Sequence, residues 1–308
     1  MILTITLNPA IDSRYNLKDF QIDKVTRCQD YAKTAGGKGL NVSRILQNLG
    51  TEVLATGFLG GKIGEYFLEL LEKDKIDGDF VSIEGITRTC LAILGENGSQ
   101  TEILETGPTI TSLENQKFLK HYQGQIKKVN VICASGSLPK GIDKDFYKIL
   151  GQEAKKLDIP FILDTSGQAF KEGIKGQPFL IKPNKEELES YFGKELNNES
   201  EIVEIIKQLL KQGIKYVAVS LGKEGALLGS NEKILKGKPP VINALNPVGS
   251  GDSMIGGFAK AILENKTQEE ILKLGIACGT ANAMELATGR INPKNVKKII
   301  KEISICEI

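Results

Sequence analysis

The chain has 308 residues, a formal net charge of +2 and 41% apolar residues. That length buries a continuous core as one large α/β domain or two small ones. The near-neutral balance excludes a nucleic acid or a membrane surface held by bulk charge, so neither partner is expected. No run of about 18 apolar residues occurs, so no membrane-spanning helix is expected. Cys28, Cys90, Cys133, Cys278 and Cys306 form no Cys-x-x-Cys pair and show no metal-ligand spacing, which reads as reduced thiols in a cytoplasmic protein. The single histidine, His121, lies in a polar helical stretch and reads as a surface residue. One histidine excludes a multi-histidine metal site, and no Gly-x-Ser-x-Gly nucleophile motif accompanies it.

In chain order, residues 2–7 alternate as a strand and break at Asn8-Pro9, which argues against a leader peptide. Residues 40–49 carry the 3.6 period of a helix that stops at Gly50. A strand over 53–58 and a helix over 64–73 follow, then strand 129–134 with helix 144–156. Strand 161–164 precedes a short helix, strand 179–182 precedes helix 185–192, and helix 201–212 precedes strand 216–221. The last third reads as helices over 252–263, 268–287 and 293–303. Such alternation predicts right-handed crossovers and a mostly parallel sheet with helices on both faces. Ligands of such sheets sit beyond the carboxyl ends of the strands.

Residues 14–33 and 88–105 interrupt the alternation as short strands, the second pair joined at Glu96-Asn97-Gly98-Ser99, a hairpin signal. They predict a small β-layer standing off the main sheet, as a lid, a dimer surface or both, or else ordinary edge strands.

Five turns carry candidate chemistry. In Asn246-Pro247-Val248-Gly249-Ser250-Gly251-Asp252-Ser253 a glycine turn opens a helix. Amides at Gly249, Ser250 and Gly251 with the helix N-terminus suit phosphate oxygens, and Asp252 suits the proton of an attacking hydroxyl. The plain alternative is a helix that starts with a carboxylate. Ala35-Gly36-Gly37-Lys38-Gly39-Leu40-Asn41 is a second glycine turn, fit for a sugar hydroxyl array with a phosphate or simply a tight turn. It lacks Walker spacing. Asp12 follows the first strand as a hydroxyl acceptor or an Asx turn. Lys182-Pro183-Asn184-Lys185-Glu186-Glu187 is a capping box or a Mg²⁺ water-shell site. Ser220-Leu221-Gly222-Lys223-Glu224-Gly225 borders a nucleotide or makes a β-turn.

Three of these segments, residues 36–44, 182–188 and 246–253, together resemble the PfkB/ribokinase family of carbohydrate kinases from end to end. Thr6-Leu7-Asn8-Pro9-Ala10-Ile11-Asp12 and Ser135-Gly136-Ser137-Leu138-Pro139-Lys140-Gly141 match its phosphosugar branch. The resemblance implies a ribokinase-like fold over 1–308, with lid segments near 12–34 and 87–105 that often form a homodimer interface. It implies ATP and Mg²⁺, a phosphosugar acceptor, Asp252 as base and the amides of residues 249–251 as anion hole. Asp12, Gly37, Lys38 and Asn41 would hold the sugar. Arg88 would take its phosphate, helped by Lys38, Ser137 and Arg27, since a guanidinium fork pairs with phosphate oxygens. Lys182, Asn184, Ser220, Gly222 and Gly225 would line ATP, with Glu187 and Asn184 near Mg²⁺ and Asn282 by the adenine. Within the phosphosugar branch the resemblance implies tagatose 6-phosphate as acceptor, with fructose 1-phosphate as the alternative. Three rival readings remain: a kinase of an unphosphorylated sugar or nucleoside, a non-catalytic binding regulator, and a dinucleotide oxidoreductase. The last would need Gly-x-Gly-x-x-Gly where Asn8-Pro9-Ala10 stands.

Overall fold

The computed structural model describes residues 1–18, 20–95 and 99–308. The chain opens with β1 (Ile2–Thr6), β2 (Ala10–Leu17), β3 (Asp30–Gly36), α1 (Lys38–Asn48), β4 (Val53–Gly60) and α2 (Gly61–Lys73). Short β5 (Asp77–Gly78) and β6 (Val81–Ile83) lead to β7 (Arg88–Gly95) and β8 (Gln100–Leu104). Next come α3 (Ser112–Gln125), β9 (Val131–Ser135), α4 (Phe146–Lys155), β10 (Phe161–Asp164), α5 (Gly167–Gly173), β11 (Leu180–Ile181), α6 (Lys185–Phe192) and α7 (Glu199–Leu210). The chain closes with β12 (Tyr216–Ser220), β13 (Ala226–Gly229), β14 (Ile234–Lys238), α8 (Ser250–Leu263), α9 (Gln268–Ala283), α10 (Pro293–Glu302) and β15 (Ser304–Glu307).

The main sheet runs β15-β14-β13-β12-β11-β10-β9-β1-β4-β5, with β6 also on β4. From β12 to β5 the pairings are parallel, and β12 to β15 pair antiparallel. The expected parallel core is present; the antiparallel edge was not expected. One face packs α1, α2, α8, α9 and α10 in a core that includes Leu40, Phe67, Phe258, Ile276 and Val296. The other packs α3 to α7 around Phe118, Tyr147, Phe170, Leu188 and Ile206. This two-faced covering explains why β1 is buried at every position. Its Thr4 hydroxyl meets Ser43 of α1 at 2.7 Å, which satisfies both groups between sheet and helix.

Most boundaries follow the sequence reading. α9 stops at Ala283 rather than residue 287 because the backbone N–H groups of Leu245 and Asn246 both donate to the Ala283 carbonyl. That leaves 284–290 as a loop over the site. His121, expected at the surface, is half-buried, with Nε2 3.1 Å from the Asp79 carbonyl.

The interrupting segments form a separate four-stranded sheet, β3-β2-β7-β8. β2 and β7 pair in parallel, and each outer strand is antiparallel to its neighbour. β7 and β8 pair as the hairpin signal predicts, while its turn residues 96–98 lie outside the described residues. The register puts Asp12, Arg14 and Cys90 on one face and Tyr15, Tyr31, Leu91, Ile93 and Ile103 on the other. No described helix is long and apolar enough to cross a membrane.

Candidate active site

The site is assembled at the carboxyl ends of the central strands, where helices begin. Gly249 caps α8 with φ near 80°, a left-handed conformation that glycine adopts without strain. A Cβ on Gly249 would stand 2.6 Å from the Thr288 methyl, so the turn presses on the 284–290 loop. A Cβ on Gly251 would stand 3.2 Å from Lys182 Nζ, so the bare backbone lets that ammonium approach the helix N-terminus. Asp252, in the first turn of α8, is 7% exposed.

The residue that sequence reasoning missed is Asp164. It ends β10, 2% exposed, between two ammonium groups: Lys182 Nζ at 3.4 Å and Lys38 Nζ at 3.7 Å. Among the described residues its Oδ2 accepts no hydrogen bond and has Lys38 as its ionic partner. A carboxylate at the carboxyl end of a predicted strand was the available signal. Asp164 also acts electrostatically on Asp252. Burial first, and Asp164 second, push the Asp252 carboxyl up to about 6; Lys38, the Asn41 hydrogen bond and Lys182 oppose them. Asp164 in turn holds the Lys38 ammonium above its ordinary value.

Asn41, 8% exposed on α1, donates through Nδ2 to Asp252 Oδ2 at 2.7 Å. Asp12 on β2 accepts from the Gly37 N–H, and burial raises its carboxyl while Arg44 and Arg88 pull it down. A cavity of about 260 Å³ is lined by Asp12 and Asn41 with Arg14, Arg44, Cys90 and Arg290. It lies between the small sheet and the 284–290 loop. A larger cavity of about 630 Å³, lined by Lys215, Tyr216 and Lys233, opens at the start of β12. That is the opposite end of the strands from the chemistry.

Arg88 opens β7 and grips the chain at two points. Nε and Nη2 donate to the Asn8 carbonyl at 3.2 and 2.9 Å, and Nη1 donates to the Glu105 carbonyl at 2.8 Å. Asn8 Nδ2 reaches Ser137 Oγ at 3.4 Å, so Arg88, Asn8 and Ser137 form one cluster. Asn8, quoted above as a strand breaker and within a motif but given no role, joins them. Lys38, expected beside the acceptor's phosphate, is placed against Asp164 near Asp252. Arg27 lies on the exposed connection between β2 and β3, with no hydrogen bond or ion pair to the cluster among the described residues.

Asn184 and Glu187 make the capping box of α6: Asn184 Oδ1 accepts from the Glu187 N–H at 2.7 Å, and Glu187 Oε2 from the Asn184 N–H at 3.0 Å. The Ser220 N–H donates to the Pro183 carbonyl at 3.2 Å, which joins this segment to the 222–225 turn holding Gly222 and Gly225. Asn282 is fully buried. Its Nδ2 donates to the Val248 carbonyl at 2.9 Å and its Oδ1 accepts from the Gly289 N–H at 2.9 Å. Those bonds tie the glycine turn to the 284–290 loop, so the amide implied beside the adenine also braces the turn from inside.

A family model described as pfkB family carbohydrate kinase matches residues 5–295. Tagatose-6-phosphate kinase of Staphylococcus epidermidis (strain ATCC 12228) is 44% identical over 311 positions, covering 100% of each chain. Among solved structures, Escherichia coli phosphofructokinase-2 in complex with potassium superposes with a TM-score of 0.91 at 29% identity, covering 98% of both chains. The same enzyme in complex with fructose-6-phosphate gives 0.89 at 28%, again over 98% of both. Together with the buried carboxylate at the glycine turn, these likenesses establish that the chain belongs to the pfkB family of carbohydrate kinases and is an ATP-dependent sugar-phosphate kinase.

Proposed function

We propose that the chain transfers the γ-phosphoryl group of ATP to D-tagatose 6-phosphate, giving D-tagatose 1,6-bisphosphate, with Asp252 as the base. The observation that carries this is the Asp252 carboxylate, buried at the start of α8, bonded to Asn41 and placed among Lys38, Lys182 and Asp164. The full-length likeness to a tagatose-6-phosphate kinase supports the choice of acceptor.

Asp252 accepts the proton of the sugar hydroxyl as that oxygen attacks the γ-phosphorus in line; the bond to the β-phosphate oxygen breaks and ADP leaves. A carboxyl titrating near 6 is ionised at neutral pH and still basic enough to take the proton. The amides of residues 249–251, with Lys38 and Lys182, answer the charge of the transferring group. Asp12, Gly37 and Asn41 hold the ring hydroxyls. Arg88 and Ser137 take the distal phosphate, and Arg27 joins them as the small sheet folds down over the acceptor, excluding water. Lys182, Asn184, Ser220, Gly222 and Gly225 line ATP, and Asn282 supports the turn beneath it.

Among the described residues no group of three or more His, Cys, Asp or Glu could hold a metal ion. That suits an ion which arrives on the phosphates of ATP and keeps most of its water. Glu187, with Asn184, would hold Mg²⁺ through that water shell, and the ion supplies charge neutralisation.

The apolar face of the small sheet takes a second copy of this chain. Tyr15 and Tyr31 stack there with ring centroids 6.1 Å apart, and Tyr31 and Ile103 are 58% and 54% exposed. A face that apolar marks an interaction site.

ADP release over tagatose 6-phosphate, fructose 1-phosphate, fructose 6-phosphate and unphosphorylated tagatose and fructose tests the reading. Tagatose 6-phosphate is expected to give the highest kcat/KM and the free sugars negligible turnover. Asp252→Asn is expected to lower kcat by about 10³-fold or more, as loss of a general base and its alignment does. Turnover near wild type in that variant would sink the base assignment.

A further inference from the structure

The hydrogen bond to Asp252 is the last link of a buried chain. An asparagine amide has a donor end and an acceptor end, and only the donor end suits a carboxylate. The residue that decides which end of Asn41 faces Asp252 is Arg44. A guanidinium has donors only, so it can meet Asn41 only at the carbonyl oxygen. It does so, with Nη2 to Oδ1 at 3.1 Å, which leaves the NH₂ of Asn41 for Asp252. Arg44 lies one helical turn from Asn41 on α1 and is 2% exposed. Nη1 donates to the Ala35 carbonyl at 2.7 Å and lies 3.6 Å from Asp74 Oδ2 at the end of α2. Arg290 shares that same Asp74. Gly289 packs against the carbonyl end: a Cβ there would stand 2.9 Å from Asn41 Oδ1, so the loop lies close on that side of the amide.

A buried arginine is costly unless paired, and here two arginines share one carboxylate. Its bond to Asn41 gives Arg44 a reason to be there. We propose that Arg44 is a positioning residue for phosphoryl transfer, locking the Asn41 amide with its NH₂ toward Asp252 so that the base is kept both aimed and ionised. This rests on the reading of Asp252 as the base. Asp252 is faced by Asp164 from β10, Lys38 from α1 and Lys182 after β11. Arg44 is faced by Asp74, Arg290, Asp12 and Asp252. Without the lock, Asn41 is free to turn its carbonyl oxygen to a protonated Asp252 and stabilise the acid form.

The test is kcat and KM for both substrates from about pH 5 to 9, in wild type, Asn41→Ala, Arg44→Met, their double variant and Asp252→Asn. For Arg44→Met, kcat at neutral pH is expected to fall about 10- to 100-fold, as small misplacements of a reacting group do. KM for ATP and the phosphosugar is expected to stay within about 3-fold. The acid limb of the kcat profile is expected to move up by about 0.5–1 pH unit, with partial recovery at alkaline pH, since a donor and a nearby positive charge are both lost. The double variant is expected to be no worse than the worse single one, because both changes break the same chain. An unmoved acid limb, a loss confined to KM, or multiplicative losses in the double variant would each overturn the proposal. If Arg44→Met does not fold, Arg44→Met/Asp74→Asn removes the buried pair together and is read the same way. Asp252→Asn separates the two ideas. If it turns over normally, the base reading fails; if it is inactive while Arg44→Met keeps the wild-type profile, only the positioning role fails.

Discussion

Asp252, proposed above as the base, is a cost to the fold. Its folded carboxyl titrates near 6 against an ordinary value of 3.8, mainly through burial. Between those values the folded chain binds a proton that the unfolded chain has released, so stability falls as pH rises through that window. Asp252→Asn is therefore expected to raise the Tm at pH 8 by about 2 °C or more. The gain should shrink as pH falls through 6 and fade below the unfolded value, which thermal melts across pH would show. Arg88 makes a different prediction. Its guanidinium already joins Asn8 and Glu105, and Arg88→Ala is expected to raise KM for the phosphosugar by about 10-fold or more, with KM for ATP little changed. Equal losses for both substrates would contradict a phosphate clamp. Asp252, Asp12 and Asn41 were visible in the sequence because glycine turns and strand ends flag them. Asp164 also ends a predicted strand, but unlike them it belongs to none of the quoted motifs. Its meaning comes from Lys38 and Lys182, which reach it from distant parts of the chain. Arg44 was quoted only as part of a motif, since nothing in a sequence shows which amide end it addresses.

At the level of elements, the two glycines of the α8 turn separate fold from chemistry. Gly249→Ala adds a side chain at positive φ, 2.6 Å from the Thr288 methyl, so both Tm and kcat are expected to fall. Gly251→Ala meets only the tip of Lys182, which can swing aside. A loss of kcat with little change in Tm is expected there, and a matching loss of Tm would show that Lys182 is structural. The helices that begin with Thr111-Ser112-Leu113-Glu114, Asn184-Lys185-Glu186-Glu187 and Thr267-Gln268-Glu269-Glu270 all carry complete capping boxes, a signal printed in the sequence. Even so, only a polar helical stretch around His121 marked α3, because Leu113, Phe118, Leu119 and Tyr122 are too sparse to give its bounds. β13 to β15 were missed for the same kind of reason. They are four to five residues long and punctuated by glycine or ended by charge, and β15 follows α10 with only Ile303 between.

Across the molecule, the alternation of strands and helices made the central parallel sheet legible, and the interruptions marked the second sheet. What alternation could not show is how the second sheet divides its faces. The register gives Asp12 and Arg14 to the cleft and Tyr15, Tyr31, Leu91, Ile93 and Ile103 to the outside. Ile103→Lys is expected to leave each chain folded but to shift sedimentation from dimer to monomer; an unchanged sedimentation coefficient would remove this face as the contact. The outward apolar face then has a consequence for how the enzyme works in bulk. In the proposed dimer, a sheet that closes over the acceptor from one side and leans on its twin from the other would make turnover per chain depend on abundance. Diluted well below the point where pairs persist, each molecule should work more slowly, and crowding it back together should restore the rate.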